Sequence, residues 1–130
     1  MVLDYKAIEQ AVKQETSTAN FPELIQKLKA MGIRQYDYYV EKGLYRYYDQ
    51  YDYIEIPMNG RPRMVATYRS PEGIKRAVEH AKSGTIGFDE FCREAGQAGI
   101  SFWVTDLAAM TVTYCDATGE SVWWEKIPEV

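Results

Sequence analysis

Apolar residues recur along residues 4–15 with the spacing of one helical face, Tyr5, Ile8 and Val12 standing at i, i+3 and i+7. A second helix is predicted from Asn20. Pro22 lies in its first turn, Glu23 completes a capping-box pattern, Leu24, Leu28 and Met31 form the apolar stripe, and Gly32 ends it. The period then changes to two. Over Ile33–Val40, Tyr36, Tyr38 and Val40 alternate with Gln35 and Asp37, and Glu41-Lys42-Gly43 turns the chain into Leu44–Tyr48. Tyr53–Met58 and Arg61–Thr67 flank Asn59-Gly60 and are predicted to form a hairpin, placed at a sheet edge by Pro57 and Pro62. Ser70-Pro71-Glu72 opens a third helix with Ile74, Ala77, Val78 and Ala81 inward. A fourth, over 87–98, carries Phe88, Phe91, Cys92 and Ala95 on one face and ends at Gly99. Ile100–Asp106, Ala109–Cys115 and Glu120–Ile127 read as closing strands.

The order helix, helix, strands therefore occurs twice, and residues agree between the copies. At an offset of 67, Phe21 meets Phe88, Gly32-Ile33 meets Gly99-Ile100, and Tyr47 meets Tyr114. At 66, Ile8, Ala11 and Val12 meet Ile74, Ala77 and Val78, and both halves reach Ile-Pro, at Ile56-Pro57 and Ile127-Pro128. A helix–helix–sheet unit leaves one side bare, and a second copy can cover it. The expected fold is α+β: one domain over 1–130, built by internal duplication from two ααβββ lobes (1–68 and 69–130) about a pseudo-twofold axis, with helices on a largely antiparallel sheet.

Composition narrows the partners. The net charge of −4 and the absence of a basic stretch disfavour nucleic acid. No apolar run approaches the roughly 20 residues that span a bilayer, so no membrane association is expected. Two distant cysteines, with no recognisable signal peptide, suit a reducing cytoplasm.

Candidate chemistry is sparse. His80, the sole histidine, Cys92 and Asp106 are the candidates for a catalytic set. Against this, His80 fits a helix-end imidazole favoured by the macrodipole, and Cys92 fits a small core residue. One histidine and two separated cysteines make no zinc pattern, and no phosphate-binding glycine loop is present, so no metal or cofactor is expected. The aromatic residues are more informative. Eight of the 11 tyrosines lie between Tyr36 and Tyr53, with Tyr36 and Tyr38 on one strand face and Tyr39 on the other. Of the consecutive Trp123 and Trp124, one must point away from the core.

Phe91-Cys92, Ala95, Ala98-Gly99-Ile100, Trp103-Val104, Asp106, Met110-Thr111-Val112 and Tyr114 together resemble a small bacterial family of unknown function. Its members often carry the label "phage envelope protein". Phe21-Pro22, Leu28, Gly32-Ile33 and Tyr36 extend the resemblance over nearly the whole chain. It implies no established activity, and its label suggests a virion role. Asp106 and Thr111 are the polar positions that match the pattern.

Three functions follow as expectations. The foremost is a binding module for a small ligand or peptide, in a groove between the lobes lined by Tyr36, Tyr38, Tyr39, Tyr45, Tyr47, Trp103, Asp106 and Thr111. The alternative is a protein that self-associates, as a homodimer, through a strand edge or aromatic patch. An enzyme using His80, Cys92 or Asp106 ranks last.

Overall fold

The computed structural model describes residues 4–14, 21–57 and 60–128. Within them the chain forms α1 (Tyr5–Gln14), α2 (Phe21–Ala30), β1 (Gln35–Tyr39), β2 (Leu44–Tyr48), β3 (Tyr53–Ile56), α3 (Pro71–Lys82), α4 (Phe88–Gln97), β4 (Phe102–Asp106), β5 (Thr111–Cys115) and β6 (Ser121–Lys126). The fold is α+β. The predicted cap at Asn20 and turn residue Asn59 lie outside the described residues.

Local chemistry accounts for the helix ends. Ser70 Oγ accepts the Gly73 amide at 3.0 Å at the start of α3, a cap worth about 1 kcal/mol. Asp89 and Glu90 supply negative charge to the first turn of α4, whose cap position is Gly87. At the end of α2 the Ile33 amide donates to the Leu28 carbonyl, and at the end of α4 Ile100 donates to Ala95. Gly32 and Gly99 turn the chain there at φ 88° and 80°, a backbone conformation that costs a side chain roughly 1–2 kcal/mol.

The strands make one sheet in the order β3-β2-β1-β4-β5-β6, with each neighbouring pair antiparallel. The register repeats at the offset of 67: Tyr36 faces Tyr47, and Trp103 faces Tyr114. Across the β1–β4 seam, Val40 N donates to Ser101 O and Leu107 N donates to Arg34 O, two bonds that exchange under the same offset. Ile56 and Ile127, however, do not occupy matching rungs. Ile56 pairs with Tyr45, whereas the corresponding Val112 pairs with Glu125. A bulge at Tyr114/Cys115 shifts the β5–β6 register from that of β2–β3.

Residues 61–67 do not form the predicted strand. β3 is the sheet edge, and residues 60–69 run as a strap towards α3. Arg63 N donates to Val40 O, Ala66 N to Gly96 O and Ser70 N to Ala98 O, so the strap takes its hydrogen bonds from the β1–β2 turn and α4. Pro57 and Pro62 have no amide hydrogen to give a ladder. Gly60 is pressed onto the opposite turn, where a Cβ would lie 2.2 Å from Gly43 O.

All buried sheet residues in the core cluster belong to one face: Tyr36, Tyr38, Tyr45, Tyr47, Ile56, Trp103, Val112 and Tyr114. Ile8, Ile25, Leu28, Ile74, Ala77, Phe91 and Ala95 bring all four helices to that cluster. The described residues form two layers, helices on one side and, on the other, a sheet face that none of those helices covers.

Candidate functional site

The tyrosines predicted to line a groove divide by strand alternation. Tyr36, Tyr38, Tyr45, Tyr47 and Trp103 point at the helices and are buried. Their rings form a chain across five strands: Tyr47–Tyr45 at 5.8 Å, Tyr45–Tyr38 at 4.6 Å, Tyr38–Trp103 at 4.8 Å, Trp103–Tyr114 at 5.7 Å and Tyr114–Trp123 at 5.9 Å between centres. Phe88 of α4 caps it against Tyr38 and Tyr45. Burial raises the hydroxyl pKa of all four of these tyrosines and of Tyr114. These rings are core, and the two halves meet through paired strands instead of an open cleft.

Tyr39, Asp106 and Thr111 stand on the bare face. One rung crosses its whole width: Glu55, Arg46, Asp37, Val104, Thr113 and Trp124. Its first half is polar. Asp37 is only 5% exposed and accepts hydrogen bonds from Gln35 Nε2 (3.0 Å), Tyr39 OH (3.3 Å) and Tyr48 OH (3.0 Å). Arg46, directly opposite in the ladder, pairs with Glu55 Oε2 through Nε (2.9 Å) and Nη2 (2.6 Å). Its guanidinium carbon lies 5.2 Å from the Tyr39 ring centre and 4.8 Å from that of Tyr53. Hydrogen bonds to Tyr48 and Glu55 raise the Arg46 pKa further. Burial, then the Asp37 carboxylate, raises that of the Tyr39 hydroxyl. The second half is neutral at its centre: Val104, Thr111 and Thr113 are half-buried, the Phe102 ring lies 5.8 Å from that of Tyr39 at a tilt of 33°, and Trp124 is 56% exposed.

Residues 9–126 match the family described as Protein of unknown function (DUF1398). The chain belongs to this family. A search of curated proteins finds no match. In this DUF1398 chain most residues that carried the resemblance are packing: Phe91, Cys92, Ala95, Ile100, Trp103 and Tyr114 are all buried. Asp106 and Thr111, the polar positions of the resemblance, are half-buried and paired across β4 and β5 on the bare face, where Val104 also stands.

The catalytic candidates do not converge. His80 is in the last turn of α3, with Nδ1 3.3 Å from Glu94 Oε1. Cys92 is buried on the helical side, and desolvation there pushes its thiol pKa up to about 12, opposite to what a nucleophile needs. Asp106 lies on the other face of the sheet and accepts the Ala108 and Ala109 amides of its own turn, each at 2.9 Å. Among the described residues no three His, Cys, Asp or Glu side chains are grouped to hold a metal ion, and no helix is long and apolar enough to cross a membrane.

Two shallow hollows lie elsewhere. One, of about 270 Å³, runs along Ala66–Arg69, Gly99 and Asp116–Thr118, where Arg69 is paired with Asp116 and Glu120. The other, of about 390 Å³, is bounded by Ala108–Met110 and Lys126–Pro128. Neither is lined by the tyrosine chain or the central rung of the bare face. The residues of this face that the sequence reading did not name as site candidates (Asp37, Arg46, Tyr48, Tyr53, Phe102 and Trp124) carry a period-two signal. Each polar or aromatic residue among them alternates with a core residue along its strand.

Proposed function

We propose that this chain is a binding module whose recognition surface is the bare sheet face where its two halves meet. The observation that carries the reading is the set of rings Tyr39, Phe102, Tyr53 and Trp124 on the face the helices leave uncovered. An antiparallel sheet tolerates water on one side when that side is polar. Aromatic surface left there marks a place for a ligand or partner. The net charge of −4 disfavours a polyanion and leaves a small ligand or a peptide.

The repeated register and matching helix ends support the view that 1–68 and 69–130 are copies within one domain. In that view the Asp37–Val104 pair lies at the pseudo-twofold axis, central in the surface. A second reading, self-association through the same face, draws on the exposed Trp124, and the virion role suggested by the family's label would be of this kind.

A thermal-shift screen followed by amide shift mapping separates the two. A binding module should respond to some library member at Tyr39, Phe102, Val104 and Thr113, and Phe102→Ala should weaken that response. Shifts concentrated on the helices would contradict the assignment. Dimeric elution abolished by Tyr39→Glu would favour self-association.

A further inference from the structure

Resting on the reading of the bare face as a recognition surface, we propose that it takes the arginine side chain of a partner peptide at the seam of β1 and β4. The chain's own Arg46 displays the chemistry that seats a guanidinium there. Flat rings of Tyr39 and Tyr53 lie 5.2 and 4.8 Å from its central carbon, and Glu55 holds it at 2.6 Å. Planar, weakly hydrated guanidinium groups favour that combination of ring faces and carboxylate.

The charges of the rung are unequal: Asp37 and Glu55 face a single cation, Arg46. Arg46 stands opposite Asp37, yet its ion pair is with Glu55. Asp37, 5% exposed, is held by the neutral donors Gln35, Tyr39 and Tyr48. A buried carboxylate satisfied only by neutral donors still favours an added positive charge nearby. The aromatic surface continues beside it, since the Tyr39 and Phe102 rings lie 5.8 Å apart across the seam. A second guanidinium resting on those two rings has Asp37 as its counter-charge beneath, and the rest of the peptide runs onto the neutral strip of Val104 and Thr113.

The test uses the full chain and two blocked tripeptides, glycine-arginine-glycine and its citrulline counterpart. The two central side chains share shape and differ in charge. The arginine peptide should shift the amides of Tyr39, Phe102 and Val104 and bind at least about tenfold more tightly than the citrulline peptide. Asp37→Asn should remove that difference. The peptide comparison needs no variant, so it stands even if Asp37→Asn fails to fold. Equal affinities on this face would overturn the arginine assignment and leave the recognition surface intact. Silence with both peptides at millimolar concentration, or shifts on the helices, would also overturn it. The surface itself fails if the face stays silent to every member of the screen or if the shifts of responding members concentrate on the helices.

Discussion

A methyl group on Gly99 would lie 2.1 Å from the Tyr68 carbonyl oxygen, whereas one on Gly84 would meet nothing within 4 Å. Both glycines have positive φ, 80° and 77°. Gly84→Ala should therefore cost only the backbone strain, roughly 1–2 kcal/mol, and Gly99→Ala distinctly more, as read from urea midpoints. Cys92 ties stability to pH. Its folded pKa of about 12 exceeds the ordinary 9.0, so the unfolded chain ionises first. Stability from this group is complete below pH 9 and is lost as pH rises towards 12. Tyr36, Tyr38, Tyr45, Tyr47 and Tyr114 add to the loss in the same direction above pH 10. Unfolding followed against pH should show an alkaline decline, shallower between pH 9 and 12 in Cys92→Ala. A flat profile there would contradict the burial of the thiol. Cys92 was legible as packing because it sits on the apolar stripe of α4. Asp37 was not, because its burial comes from tyrosine hydroxyls on neighbouring positions, which alternation alone does not reveal.

At the scale of elements, the helices followed their sequence signals closely, since caps and 3.6-residue stripes are local. Ile74, Ala77, Val78 and Ala81 are buried on α3 as the spacing predicts. The hairpin at Arg61–Thr67 failed for a non-local reason. Gly43, Gly60 and Gly96 let backbone approach backbone, and the strap is held by β1's end and α4 instead of by β3. The turn between β4 and β5 is local again. Asp106→Ala removes the acceptor of two amides and should lower stability by about 1 kcal/mol, with an unchanged denaturant slope. A null effect would mean that the Ala108 and Ala109 amides are satisfied by water. Their carboxylate would then be available for the ligand role proposed from sequence.

At the scale of the molecule, the order of elements is the one expected, helix, helix, three strands, twice over, and the sheet β3-β2-β1-β4-β5-β6 joins the strands of residues 35–56 to those of 102–126 edge to edge through β1 and β4. The expected cleft between lobes followed from assuming that the halves cover each other face to face. Strand pairing satisfies their central edges instead and leaves a whole face bare. Which tyrosines are core and which are surface then depends on which face the helices choose, a tertiary fact that a period of two leaves undecided. Tyrosine nitration of the native chain, read peptide by peptide in a mass spectrometer, tests this division most directly. Tyr51, Tyr53 and Tyr68, at 88%, 50% and 70% exposure, should be modified rapidly. Tyr36, Tyr38, Tyr45, Tyr47 and Tyr114 should react only after unfolding. Modification of Tyr45 and Tyr47 at the rate of Tyr53 in the folded protein would contradict the account.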